Sequence, residues 1–469
     1  MKLRSYFVCA LDTTLNIILY ALTCETFLWL EGRVSGGFFR NWARNFRYRP
    51  GSFVKPTSEQ EIIDIVKNSS GIRFFGAGHS FNDGVVADEV LVSLDDYKGM
   101  VSKDENLKQM RVRGGTRMRD VIKLLLDEGW AFKALPSHDA QSIAGILSTD
   151  VHGTGLNWGF VSESVVSLRV IDGLGNVQEC FPGDDLFRAA IGGVGAVGII
   201  SEVVVQAVER FTVEQKFFMS TRSAVFESAP SDPLNYKNLL AQNEHFSLYL
   251  FPFTDKCQIN TWNRTTKAKS PLGSLREFLS ISADALLSAW FGNFMAYTGL
   301  LPSWSNLSYA FKRGTDLVLE SSEAFTRTIY HRHQELEFTV PFDDTRAMCK
   351  HFIELYEQTY TSDVPYALFE IRFTPKDHTF SLIGPGQQGP RTWIDLVIND
   401  SYGYDKFYSM AEESVKNLGA RPHLGKFCTL FRQAELMNLY QNNFVRFQQL
   451  RQQQDPQQKF SNVFTRRLF

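Results

Sequence analysis

The sequence predicts an α+β protein of two domains, and three observations carry that expectation. At 469 residues the chain exceeds the size, roughly 250–300 residues, at which one hydrophobic core stops growing. Its first half sets short apolar strands beside amphipathic helices and is studded with small-residue clusters. Its second half alternates longer strands with single helices, the pattern changing near residue 210. A hydrophobic share of 44%, with 13% aromatic and 21% charged residues, excludes disorder as the main state. The formal net charge of −2 gives no general attraction to nucleic acid.

Residues 1–39 begin basic and turn apolar, but Asp12 and Glu25 cut the run into pieces shorter than the roughly 20 residues a membrane span needs. A signal, an anchor and a helix packed on the protein remain open. From Phe53, SFVKP reads as a strand, PTSEQEIIDIVKNSS as a helix capped by Thr57 or Ser58 with an inner stripe at Ile62, Ile63 and Val66, and IRFF as a second strand. The strands VLVSL, QMRVRGG, VVSLRVI and GIISEVVVQAV and a helix from Arg117 to Gly129 complete a unit over 40–210. In 211–430, HFSLYLFPF, QELEFTV, ALFEIRF and WIDLVI read as strands of an antiparallel sheet, with FDDTRAMCKHFIELYEQ as a helix. A Gln-rich helix and DPQQKFSNVF close the chain over 431–469.

Ala285–Phe311 carries no charge, yet its glycines, Pro302 and polar residues argue against a spanning helix and leave a buried insertion or an interfacial segment. Cys9, Cys24, Cys180, Cys257, Cys349 and Cys428 are scattered without a CxxC pair, so neither zinc nor a disulfide framework is expected, and no metal.

The functional signal starts at GIRFFGAGHSFND, residues 71–83. Phe81 takes the sixth position of GxGxxG and a strand follows, so the Rossmann dinucleotide reading fails. A turn bracketed by Gly76 and Gly78 still offers backbone N–H groups to a phosphate-bearing cofactor, or else simply needs positive φ. Three more clusters follow, RGGTR at 113–117, TDVHGTG at 149–155 and IGGVGAVGII at 191–200. Four in one unit point to a backbone moulded around something long and flat.

GAGHSFND, VRGGTRMRDVIKLLLDEG, LPSHDAQSIAGILSTDVHGTG and GGVGAVGIISEVVV, in this order, resemble the FAD domain of the vanillyl-alcohol-oxidase, or PCMH-type, flavoproteins. QELEFTVP, FEIRF, RPHLGK and DPQQKFSN resemble pieces of one branch, the aldonolactone oxidases, which include gulonolactone, arabinonolactone and galactonolactone enzymes and the related alditol oxidases. The resemblance covers about residues 40–469. The chain departs from the pattern at Leu424, where the family usually has Trp, and at Asp150 and Val151, where smaller residues are commoner.

This resemblance implies a PCMH-type FAD domain over 40–210, an α+β substrate-binding cap domain with an antiparallel sheet over 211–430, and a C-terminal helix returning to the FAD domain. FAD would be contacted by Gly76, Ala77, Gly78, His79, Ser80, Gly115, Ser142, Gly145, Ser148, His152, Gly153, Gly155, Gly198 and Ile200. His79 falls where the family's histidine bonds covalently to the flavin; a neutral imidazole is a competent nucleophile, and the alternative is a histidine beside a non-covalent cofactor.

Glu370 and Arg372 in FEIRF lie two apart, so a strand puts both on one face, where they need partners or a cavity. On the residues alone a structural ion pair is the default; the resemblance makes them the pair that contacts substrate and flavin. Lys426 matches the lysine at the flavin ring edge, where a cation stabilises reduced flavin and polarises a substrate hydroxyl. His423 either orients substrate or caps a turn after Pro422, His152 is expected to shape its loop, and Asp395 resembles a residue aimed into the pocket. His331, His333, His351 and His378 show no ligand-like spacing.

The implied activity is oxidation of a sugar-derived alcohol, an aldono-1,4-lactone foremost, by hydride transfer to FAD, with oxygen reoxidising the flavin to give peroxide and ascorbate or an analogue as end product. Alternatives are a dehydrogenase that passes electrons to a cytochrome or quinone, with Val151 restricting oxygen, and an alditol oxidase. A non-catalytic FAD-binding membrane protein is a third, against which Glu370, Arg372 and Lys426 argue. The partners are then a small sugar lactone or polyol and O2 or another acceptor, without nucleic acid. A membrane location, such as the endoplasmic reticulum, and a cytoplasmic one both stay open.

Overall fold

The computed structural model describes residues 2–23, 32–155, 159–310, 314–326, 331–374, 376–399 and 402–469. Cys24, Glu25 and Phe311 lie outside the described residues. Helix and antiparallel and parallel sheet are mixed, as the α+β expectation requires. Ser52–Val54, Val90–Ser93 and Ile72–Phe75 pair in parallel, and the helix Glu59–Asn68 makes the crossover that parallel strands need. Of the two candidates Ser58 is the cap, its Oγ accepting from the Glu61 N–H, while the Thr57 N–H donates to the Glu61 carboxylate. Ile62 and Val66 face inward against Ile72, Val90 and Val92.

Beside this lies a five-stranded antiparallel sheet ordered Val177–Cys180, Val165–Ile171, Ile199–Gln206, Gln109–Arg113, Met100–Asp104. Arg73 ties the neighbouring loops together. Its guanidinium is buried and donates to the carbonyls of Gly84, Val194 and Phe460 at 2.8, 2.6 and 2.7 Å. One side chain thus gathers the loop after the Ile72 strand, the IGGVG loop and the C-terminal segment, and hydrogen bonds to a charged group are worth about 1.5–3 kcal/mol each.

The second half builds an eight-stranded antiparallel sheet. Its order is Thr315–Glu320, Thr212–Thr221, Lys256–Thr265, His245–Leu250, Ala367–Thr374, Arg391–Ile398, Gln334–Pro341, Arg421–Pro422. Helix Thr345–Thr359 packs on one face through Phe352 and Tyr356.

The amino-terminal run corrects the expectation that Asp12 divides it. Lys2–Thr23 is one continuous helix, because Asp12 turns inward to pair with Arg332 at 3.1 Å and Arg44 at 3.0 Å. Its outer face is a stripe of exposed Leu3, Phe7, Leu11, Leu15, Ile18 and Leu22, and it is long and apolar enough to cross a membrane. The inner face packs on the uncharged stretch, Tyr6 donating to the Trp290 carbonyl at 3.1 Å. That stretch is broken into short helices, Leu287–Gly292, Asn293–Tyr297 and Leu301–Ala310, following Gly273–Leu286.

Candidate active site

The GAGHSFND loop leaves the Ile72–Phe75 strand and borders a narrow cleft of about 130 Å3. Ten of the fourteen residues expected to hold a cofactor line it: Gly76, Ala77, Gly78, His79, Ser80, Ser142, Gly145, Ser148, Gly198 and Ile200. Two glycines are required there. A Cβ on Gly76 would sit 1.8 Å from Ser142 Oγ, and Gly78 has φ +64° with its Cβ position 2.7 Å from the Gly32 Cα. Gln141 Oε1 is buried at the cleft's inner end with no hydrogen-bond partner among the described residues, a polar edge that suits a guest with donors. Closely approaching small residues with such a polar edge suit part of a phosphate-bearing cofactor.

The other four lie elsewhere. Gly115 packs backbone on backbone, a Cβ there falling 1.9 Å from the Leu94 carbonyl oxygen, while Arg117 of the same cluster reaches the Gly76 turn. Gly155 forms an isolated antiparallel bridge with His245, and Gly153 donates to the Gly159 carbonyl at 2.7 Å. His152 sits in a second chamber.

That chamber, about 50 Å3, continues the cleft past His79, Ser80, Gln141 and Thr149 and is closed by Val151, His152, Glu335, Glu337, Arg372, His423 and Lys426. Two loops distant in sequence clamp its edge. Asn82 donates from its side chain to the carbonyls of Leu424 and Lys426 at 2.7 and 2.8 Å, and the Phe81 N–H donates to Gly425 at 2.9 Å. The histidine loop and the RPHLGK loop are therefore positioned together. His79 stacks on Trp42 at 5.1 Å, and burial, reinforced by Arg117, drops its pKa to about 3, so the ring is neutral. His423 caps its turn, Nδ1 accepting from the Gly425 N–H at 3.0 Å, while still facing the chamber; burial lowers its pKa to about 4.

One wall of the chamber is a sheet surface. Glu337 lies opposite Asp395, and Asp395 opposite Glu370, on three adjacent strands. Like charges directly opposite repel, so the row needs cations. Arg372 Nη2 reaches Glu337 Oε1 and Asp395 Oδ2, both at 3.1 Å, and its Nε lies 3.9 Å from Glu370 Oε1. Lys426 pairs with Glu335 and lies 3.7 Å from Asp395. Glu370 and Arg372 do share one face, as the period of two demands.

Burial pushes the Asp395 carboxyl well above the usual carboxylate range, reinforced by Glu335. For Glu335 burial acts the same way, but Lys426 and His333 outweigh it and hold that carboxyl well below the usual range. Glu337 is likewise held low against burial by His152 and Arg372. Burial opposes the charge on Lys426, yet Glu335 and Asp395 raise its pKa, so it stays an ammonium. His152, whose own pKa burial lowers, stacks on Trp393 at 3.6 Å with Nε2 3.0 Å from Glu337.

The residues missed by sequence reasoning are Glu335, Glu337 and His138. Glu335 and Glu337 alternate with Leu336 and Phe338 in QELEFTVP, the same signal that singled out Glu370 and Arg372. His333, set aside for lack of ligand-like spacing, has its ligand atom within 4.8 Å of those of His138 and Glu335. The Lys426 ammonium on Glu335 competes with any cation there.

A third space of about 570 Å3 meets the chamber at Ser137, His138 and Glu335, with Glu370 on its lining.

A glycine-walled cleft leading to a chamber edged by a fixed ammonium and guanidinium suits a flavin beside an alcohol substrate. Comparison with known proteins agrees. Residues 50–180 match the FAD binding domain family and residues 203–468, over half the chain, match the D-arabinono-1,4-lactone oxidase family; the chain belongs to that family. It is 24% identical to an L-gulono-1,4-lactone dehydrogenase of Mycobacterium tuberculosis over 91% of this chain and 98% of that one. It is also 24% identical to an L-gulonolactone oxidase of Scyliorhinus torazame over 92% and 98%. Among solved structures, a cholesterol oxidase from B. sterolicum superposes with a TM-score of 0.71 at 14% identity, covering 91% of this chain and 96% of that one, which is a likeness of fold.

Proposed function

We propose that this enzyme oxidises an alcohol carbon of an aldono-1,4-lactone and delivers the electrons to oxygen, forming hydrogen peroxide. The observation that carries the reading is the convergence of Lys426, Arg372 and Glu370 where the chamber and the 570 Å3 cavity adjoin. FAD, when bound, supplies the hydride acceptor. The cleft residues from Gly76 to Ser80, with Ser142, Gly145, Ser148, Gly198 and Ile200, would hold it, and His79 would tether it through its neutral ring. Lys426 keeps a positive charge beside the reacting region at any physiological pH and stabilises negative charge that develops there. Glu370, half-buried on the cavity wall, takes the hydroxyl proton, and Arg372 fixes its carboxylate. His423 and His152, both buried, orient the chamber wall.

The test is anaerobic addition of L-gulono-, D-arabinono- and galactono-1,4-lactone to the yellow protein, followed by air. Bleaching of the flavin band by a lactone, with peroxide on aeration, is expected; no bleaching by any of them sinks the reading. Val151 on the chamber lining favours a second reading, a dehydrogenase, which would bleach without recovering in air.

The exposed stripe of the amino-terminal helix supports peripheral membrane association. The full chain should float with phosphatidylcholine vesicles, and replacing Phe7 and Leu11 by Asp should abolish flotation. Equal flotation of both would remove the helix from the contact.

A further inference from the structure

We infer that the cavity takes a sugar lactone or polyol carrying an apolar substituent, bound with its polar ring at Glu370 and its substituent along the cavity. The inference deepens the lactone reading above and rests on it. A space of about 570 Å3 falls within the range of roughly 300–1,000 Å3 that holds drug-sized ligands, several times the volume of a five- or six-carbon lactone. Its chemistry is graded. The end that meets the chamber carries His138, Glu335 and Glu370; the rest is walled by Phe217, Phe218, Met219, Phe251, Leu287 and Phe291.

Several polar side chains along that part are already paired. Gln215 donates to Glu277 at 2.8 Å, Gln258 donates to Asn260 at 2.6 Å, and the hydroxyls of Tyr309 and Tyr366 bond together. A free lactone fills only a fraction of this space, and seating it at Glu370 would leave the part walled by Phe217, Phe218, Phe251 and Phe291 filled with water. An alkyl or acyl chain would replace that water with van der Waals contact.

The mouth points the same way. Leu287 and Phe291 line the cavity and are also 53% and 52% exposed. Leu275, Leu279 and Phe294 extend the exposed apolar rim along the same run of helices, and Phe7 of the amino-terminal stripe lies 6.4 Å from Trp290, ring to ring. Apolar side chains at the rim, interspersed with Asp284 and Ser288, lead to the phenylalanine-lined wall and give an apolar substituent a surface to follow. The chemistry at the ring is unchanged: Glu370 takes the hydroxyl proton, FAD when bound would supply the hydride acceptor, and the substituent is left intact.

The test compares anaerobic flavin reduction of the FAD-loaded full chain by L-gulono-1,4-lactone and by the same lactone bearing an octyl ether on its primary hydroxyl, below the ether's micelle concentration. Burying one methylene favours binding by roughly fourfold, so kcat/KM for the ether should exceed that for the free lactone by about tenfold or more. Ala283, which lines the cavity near its mouth and is exposed, provides the second arm: Ala283→Trp should erase the ether's advantage. An ether used no better than the free lactone overturns the inference and leaves the lactone reading standing, and so does an advantage that survives in A283W. If neither compound reduces the flavin, the lactone reading falls and the inference with it.

Discussion

The glycine cleft and the carboxylate wall adjoin at His79, but they are built from different parts of the chain. Main chain bounds the cleft, where small residues are needed because backbones approach closely, as at Gly76 and Gly78. Side chains from three strands make the wall, standing in a row because the register puts Glu337, Asp395 and Glu370 opposite one another. Shape governs the cleft, so losing one contact should weaken cofactor holding. Charge balance governs the wall, so losing one cation should affect chemistry and stability at once.

The largest effect should come from removing a cation. Lys426→Met leaves Glu335 buried without its main counter-charge and withdraws positive charge from the reacting region. Flavin reduction by lactone should slow about 10²–10³-fold, by analogy with the loss of one stabilising donor, with FAD still bound. Breaking a buried pair also costs about 3–5 kcal/mol, so the melting temperature should fall as well. Lys426→Arg, which keeps the charge, should recover part of the rate. An unchanged reduction rate in K426M would take Lys426 out of the chemistry and make the wall purely structural.

On the cleft side the sharper probe is His79→Ala. Wild-type protein precipitated in acid should keep its yellow colour in the pellet, whereas H79A should release FAD to the supernatant while retaining a folded cleft. Release from wild type as well would reduce His79 to a wall residue stacked on Trp42 and break the tether proposal.

The same contrast explains how much could be read from the sequence. The cleft was largely legible because its requirement is local: a glycine pair after a strand announces close approach wherever the partner is. RGGTR shows a second use of small residues, since a Cβ on Gly115 would meet the Leu94 carbonyl. The wall was half legible. Alternation in FEIRF put Glu370 and Arg372 on one face, yet their partners Glu337 and Asp395 come from strands that are neighbours only in the folded sheet. His138 gives no pattern at all, lying in an irregular segment whose course is set by tertiary packing. Asp12 misled for a related reason, its partner Arg332 being 320 residues away.

The smallest expected effect tests whether the wall is balanced by a proton as well as by cations. Four carboxyls, Glu335, Glu337, Glu370 and Asp395, face two fixed cations, and at Asp395 burial, reinforced by Glu335, outweighs Lys426 and Arg372 and raises the pKa. A raised acid pKa means that folding favours the protonated form. Wild-type protein therefore loses stability as pH rises from the ordinary aspartate value, near ~4, through the raised one. Asp395→Asn has no proton to lose. The melting temperature of D395N minus that of wild type should become more positive between pH 5 and pH 8, by about 2–4 °C for each kcal/mol involved. Glu335 and Glu337, whose pKa values are held low, shift stability only as pH falls below the ordinary carboxylate range, so they do not contribute in that window. A difference that stays flat with pH would mean that Asp395 is ionised in the folded wall and that Arg372 and Lys426 neutralise the row without help from a proton.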